Sequence, residues 1–229
     1  MRYLAGIVFD AYGTLLDVAS VADACEARWP GYGGALTQLW RARQLEYSWL
    51  RSLMGRHADF WQVTGDALDV ACATLDLDPS PADRSALLDG YLRLAPFPEV
   101  ATALGRLAGV RKLVLSNGAP VMLQTGLAHA EIADFVESIL SVESVRIFKP
   151  APQVYALATT FLGCAPADVL FVSANGWDIA GASSFGLRTA WINRADAPVE
   201  RLGFMPEIVV PDLVTLADVI EANRHDRTA

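Results

Sequence analysis

The chain has 229 residues, room for one large domain or for a core that carries a smaller insertion. Hydrophobic residues make up 53% and charged residues 19%, a balance that supports a sizeable core and argues against disorder. Lys and Arg number 18 against 26 Asp and Glu, a formal charge of −8 with no basic run to offset it. Nucleic acid and anionic membranes are therefore poor partners, and an anionic substrate must be drawn in by a few local cations.

Tyr3 to Phe9 is a short apolar run of strand formers, ended by Asp10 and the turn-like Gly13-Thr14. It reads as a buried strand with polar residues at its carboxyl end. From Asp17 to about Ala95 helical patterns replace strand signals. Leu36, Leu39, Trp40, Tyr47, Leu50 and Met54 recur at helical spacing, with Arg41, Leu45 and Ser48 on a neighbouring face. Asp78-Pro79-Ser80-Pro81 breaks the pattern before a helix over Ala82–Leu94, and Pro96-Phe97-Pro98 closes a helical insertion. Beyond it, strands are predicted at Leu113–Leu115, Ile139–Leu140, Val169–Val172 and Thr189–Ile192, with Ile208–Val210 as a late edge strand. They alternate with helices at Ala101–Ala108, Val121–Ala130, Pro152–Leu162 and Ile179–Phe185. That alternation predicts an open, doubly wound parallel sheet of the α/β class.

A mean hydropathy of +0.29 raises the question of a membrane span. The longest charge-free stretch, Leu113 to Ala130, contains Ser116, Asn117, Pro120 and Gln124, and Asp10 interrupts the N-terminal apolar run too early for a secretory signal. A cytoplasmic protein without a membrane span is expected. Cys25, Cys72 and Cys164 are odd in number and widely spaced, which fits reduced buried thiols rather than a disulfide framework or a zinc site.

In open parallel sheets ligands bind beyond the carboxyl ends of the strands. The residues there are Asp10, Tyr12 and Thr14 after the first strand, Ser116 and Asn117 after the second, and Ser173 to Asp178 after the fourth, with Lys149 in Phe148-Lys149-Pro150. Each alone could cap a helix or make a turn. Two carboxylates, a lysine, three hydroxyls and two amides together are too much polar load for packing alone.

The segments FDAYGTLLDV, LSNG, FKP and VSANGWDIAGA resemble the signature segments of the haloacid dehalogenase superfamily, and the likeness covers almost the whole chain. Asp10-Ala11-Tyr12-Gly13-Thr14 and the helix LTQLWRARQLEYSWLR resemble its L-2-haloacid dehalogenase branch. The resemblance implies a core of residues 1–16 and 96–229, a helical cap of 17–95, and an active site between them. It implies hydrolysis of (S)-2-haloalkanoates to (R)-2-hydroxyalkanoates and halide through an aspartyl ester.

On that resemblance Asp10 is the nucleophile, a carboxylate that needs no base to activate it. Lys149 lies beside it, and Thr14 and Ser173 hold it in one orientation. Arg41 and Asn117 match the halide-binding positions, where negative charge must be stabilised as the leaving group departs. Leu45, Phe60 and Trp177 form the walls around the alkyl group and halogen, Trp177 from a polar loop. Tyr12, Ser116 and loop amides contact the substrate carboxylate. Asn175 and Asp178 match the residues that position and activate the hydrolytic water, and Tyr155 supports the lysine or the carboxylates.

Phosphatases of the superfamily carry a second Asp, the general acid, where this chain has Tyr12, whose phenol has an ordinary pKa of about 10. They also carry an acidic magnesium ligand where this chain has Ser173-Ala174. Losing that charge some 4 Å from a dication removes several kcal/mol of attraction. No metal and no cofactor are expected. A phosphatase or phosphomutase is the first rival and requires Mg²⁺. A fluoroacetate-preferring defluorinase shares the same residues and differs in how tightly the halide pocket closes. An idle homologue acting as a binding module is a rival from another class, opposed by the intact Asp10, Arg41, Lys149 and Asp178. The partners expected are a 2-haloalkanoate, halide and a second copy of the chain, since Trp40, Tyr47, Trp49 and Trp61 crowd one thin helical layer.

Overall fold

The computed structural model describes residues 4–225; Tyr3 of the first predicted strand lies outside them. Among the described residues six strands form one sheet: β1 (Gly6–Phe9), β2 (Lys112–Ser116), β3 (Ser138–Ser141), β4 (Val169–Ser173), β5 (Arg188–Ile192) and β6 (Ile208–Val210). Their order is β3-β2-β1-β4-β5-β6, and every pairing is parallel. β1, β2 and β4 are buried along their whole length, which explains why they read as continuous apolar runs rather than alternating ones. Phe9 pairs with Val114 on one side and Val172 on the other. This register brings Asp10, Ser116 and Ser173 to one edge of the sheet, where the strand order reverses between β1 and β4.

Four α-helices lie between Asp17 and Ala95: α1 (Ala22–Arg28), α2 (Gly33–Leu53), α3 (Phe60–Thr74) and α4 (Pro81–Tyr91). The remaining helices are α5 (Val100–Arg106), α6 (Pro120–His129), α7 (Pro152–Leu162), α8 (Gly176–Phe185) and α9 (Leu213–His225). The breaks read from sequence have clear local causes. Ser80 and Asp83 form a reciprocal capping box with Pro81 in the first turn of α4. Asp59 accepts from the Gln62 amide at 2.8 Å and starts α3. The two links between the helical layer and the sheet run side by side, with Asp17 N donating to Ala95 O at 2.7 Å and Phe97 N to Leu15 O at 3.1 Å.

Several expectations need correction. The apolar stripe on α2 does not stay covered: Leu36 and Trp40 are buried, but Leu50 is 43% and Met54 63% exposed. The helix runs past the surface it packs against. Trp177 sits in the first turn of α8 rather than in a loop, because the extended Asn175 is the residue that precedes the helix. Cys164 is only half-buried, whereas Cys25 and Cys72 are buried, and all three are free thiols. Of the four crowded aromatics, Trp40 is buried and donates from Nε1 to Thr64 O at 2.8 Å; Tyr47, Trp49 and Trp61 are half-buried. Among the described residues no helix is long and apolar enough to cross a membrane.

Candidate active site

The loop after β1 folds back on itself through Gly13, whose φ of 86° favours glycine, and Gly13 N donates to Leu16 O at 2.7 Å. Arg194, beyond β5, fastens this loop by donating to the carbonyls of Gly13 at 3.3 Å and Thr14 at 3.0 Å while paired with Glu99. Asp10 is thereby fixed at the sheet edge, 6% exposed.

The two oxygens of Asp10 are treated differently. Oδ2 accepts from Asn175 Nδ2 at 2.8 Å and Thr14 Oγ1 at 3.1 Å, with Ser173 Oγ at 3.4 Å. Thr14 Oγ1 also accepts from Ala174 N and Ser173 Oγ from Asn175 N, so both hydroxyl protons are directed at the carboxylate. Among the described residues Oδ1 accepts only from Lys149 Nζ, at 2.9 Å.

Lys149 is 1% exposed and bridges Asp10 Oδ1 and Asp178 Oδ2, both at 2.9 Å. Its ammonium also lies 4.8 Å from the centre of the Phe171 ring. Burial pulls the Lys149 pKa down, but the two carboxylates outweigh it and hold the group above its ordinary value. Asp178 is fully buried, and burial pushes its carboxyl up to about 6 against the pull of Lys149. Tyr155 donates to Asp178 Oδ1 at 2.7 Å, and burial keeps that phenol well above its usual value. The contact depends on Gly181 one turn along α8: a Cβ there would meet the Tyr155 hydroxyl and Pro150 at 2.5 Å.

Above this triad a small cavity is lined by Asp10, Tyr12, Arg41, Leu45, Phe60, Ser116, Asn117, Lys149, Asn175 and Trp177. Every one is a residue singled out from sequence. Thr14, Tyr155, Ser173 and Asp178 do not line it and act from behind the carboxylates. Asn117 Oδ1 accepts from Lys149 N at 2.9 Å, which leaves Nδ2 as the amide's donor for another partner. Ser116 Oγ accepts from Gly118 N at 3.2 Å and keeps its own proton to give. The Tyr12 hydroxyl is buried without a partner among the described residues, and burial raises its pKa, so it stays a neutral donor. Arg41 enters from α2, donating to Gln44 Oε1 at 2.6 Å and to Tyr12 O at 3.5 Å.

Residues 4–186 match the family model of haloacid dehalogenase-like hydrolases. The chain belongs to that family. This haloacid dehalogenase-like hydrolase is 50% identical over 191 residues to an (S)-2-haloacid dehalogenase of Xanthobacter autotrophicus, a match covering 83% of this chain and 76% of the relative. It is 45% identical over 223 residues to an (S)-2-haloacid dehalogenase of a Pseudomonas species, strain YL, covering 96% of each chain. Among solved structures, the L-2-haloacid dehalogenase of Xanthobacter autotrophicus with chloropropionic acid covalently bound superposes with a TM-score of 0.90 at 43% identity, covering 95% of this chain and 98% of that one.

Some parts of the hydrolase's site were not singled out from sequence. Gln44, Thr64 and Tyr91 form a polar chain behind Arg41, and Trp49 packs edge-on against Trp177 at 5.4 Å. A signal for Gln44 exists: it stands four residues after the buried Trp40, a polar side chain on an apolar stripe. Nothing local marks Arg194, whose importance comes from segments far away in the chain; Gly181 lies within the VSANGWDIAGA segment, but its closeness to Tyr155 does not follow from it.

Proposed function

We propose that this protein is an (S)-2-haloacid dehalogenase that converts 2-haloalkanoates to (R)-2-hydroxyalkanoates and halide. The observation that carries the reading is Asp10: a buried carboxylate with one oxygen saturated by donors and the other engaged, among the described residues, only by Lys149, facing a small cavity. Oδ1 attacks the carbon bearing the halogen from the side opposite the halide. The carbon–halogen bond breaks as the carbon–oxygen bond forms, which inverts the centre and leaves an ester. Arg41 and Asn117 stabilise the departing halide, and Tyr12 and Ser116 donate to the substrate carboxylate. An unpaired buried hydroxyl costs about 1–3 kcal/mol, a cost that a bound acceptor relieves at Tyr12.

Asp178 then takes a proton from water, which attacks the Asp10 carboxyl carbon and releases the hydroxy acid with its new configuration intact. Asn175, on both Asp10 and the Tyr12 carbonyl, orients the ester for that attack. We read residues 17–95 as a cap on a core of 1–16 and 96–229, a division that follows the paired links at Asp17–Ala95 and Leu15–Phe97. A homodimer belongs to the same reading, with the exposed Leu50, Leu53 and Met54 at the end of α2 as apolar surface suited to a partner copy.

Halide release from separate enantiomers of 2-chloropropionate, with EDTA present, tests the reaction. Release from the S enantiomer alone, giving (R)-lactate, is the expected result. Turnover of phosphate esters with Mg²⁺ and none of either chloride would refute it, and preference for fluoroacetate would favour the defluorinase.

The base role makes a pH prediction. Asp178 must be ionised to act, so the rate of ester hydrolysis rises with pH through about 6. Tyr155 donates to the ionised form, so Tyr155→Phe moves that acid limb to higher pH. A limb that stays in place in the variant contradicts the assignment. The stability sign is opposite: the folded value lies above 3.8, so ionising Asp178 costs stability above pH 6, and the cost is relieved as pH falls toward 4.

A further inference from the structure

The interior of the helical layer holds a polar chain with no direct part in the chemistry above. Gln44 is completely buried on α2, one turn after Trp40. A buried amide is costly unless every group finds a partner, and here the partners also fix which way the amide points. Thr64 Oγ1 donates to Phe60 O at 2.6 Å, so its oxygen accepts from Gln44 Nε2 at 2.7 Å. Gln44 Oε1 is then the atom that faces Arg41 Nη1 at 2.6 Å and the Tyr91 hydroxyl at 3.0 Å. The opposite orientation would set amide protons against a guanidinium that can only donate.

Besides Gln44, Arg41 meets the Tyr12 carbonyl at 3.5 Å and the Tyr91 hydroxyl, both neutral, and among the described residues no carboxylate lies within ion-pair distance of it. It is therefore aimed by a neutral acceptor and keeps its full charge at the cavity wall. A carboxylate in the same place would satisfy the guanidinium internally and weaken its hold on any anion.

We propose that Gln44 is a positioning residue. It aims Arg41 into the cavity through a neutral acceptor, anchored by Thr64 and Tyr91, and leaves the guanidinium charge for the departing halide. The inference rests on the halide role given to Arg41.

Single-turnover halide release from (S)-2-chloropropionate and (S)-2-bromopropionate tests it in Gln44→Met, Gln44→Glu and Arg41→Ala, with thermal unfolding of each variant. Misplacing a group that acts on the reacting atoms costs about 100-fold, so Gln44→Met is expected to slow chloride release by about that factor. Bromide, the better leaving group, should slow less, widening the bromide-to-chloride ratio. Gln44→Glu keeps the shape, so it provides a folded variant if the methionine variant is unstable; it should widen the ratio as well and raise the chloride concentration needed for product inhibition. Variants that slow both halides equally, or that leave rate and ratio at wild-type values while Arg41→Ala is inactive, overturn the role of Gln44 and leave that of Arg41 standing. Wild-type rate and ratio in Arg41→Ala overturn the halide assignment itself, and the Gln44 proposal with it.

Discussion

Replacing Asp10 with Asn is expected to lower halide release by at least about 10⁴-fold, the scale on which removal of a covalent nucleophile is felt. The amide is nearly isosteric with the carboxylate but has no anionic oxygen to attack carbon, and the cavity supplies no substitute. Asp178, the other carboxylate, lies behind the cavity wall with Oδ1 bonded to Tyr155 and Oδ2 to Lys149. The wild-type protein carries a second readout of the same step. In ¹⁸O-water a single turnover must place label in the Asp10 peptide, because water attacks the carboxyl carbon of the ester and not the substrate carbon. Label in the product and none in Asp10 would replace the ester with direct attack by water. Halide release by Asp10→Asn close to the wild-type rate would remove Asp10 from the reaction.

Lys149→Met is expected to damage both activity and stability, and the two losses should separate with pH. The lysine is 1% exposed and neutralises two carboxylates of which one is fully buried. Removing one partner of a buried ion pair costs about 3–5 kcal/mol, because the charge left behind stays desolvated. The folded protein holds the Lys149 pKa above its ordinary 10.5, so the stabilising contribution is complete at neutral pH and is lost only as pH rises beyond the folded value. Without the ammonium, the variant escapes the unpaired charge by taking up a proton. Its stability deficit against wild type should shrink as pH falls from 8 to 5, measured by urea unfolding. Activity should not recover in parallel, because the proton that relieves the repulsion occupies the nucleophile or the base. A deficit independent of pH would mean that Lys149 matters for packing rather than charge.

Much of this site was legible in the chain because its residues follow buried strands. A central parallel strand must be apolar on both faces, so the first polar residue after the run marks the sheet edge; Asp10 and Ser116 were found in that way, and Ser173 with them. The helical layer was less legible. Its existence followed from spacing, but α1 and α3 were not delimited, and α9 left no clear reading at all. Spacing groups Leu50 and Met54 with the buried Leu36 and Trp40, and their exposure shows that periodicity reports a face without saying how far its partner extends. Trp177 was assigned to a loop because Gly176 opens its helix, and glycine is a poor helix former read in isolation.

What the sequence by itself determined is the α/β alternation, the insertion after the first strand, the identity of every cavity-lining side chain and, through its motifs, the family. Only the tertiary structure decided how those side chains are wired: that Oδ2 of Asp10 is held by several donors while Oδ1 faces Lys149, that Lys149 spans two carboxylates, and that Asn175 lies on Asp10. The physical reason is range. Strand and helix signals arise from neighbours a few residues apart, whereas these hydrogen bonds join residues up to 165 positions apart and come into being only when the sheet register sets three strand ends side by side.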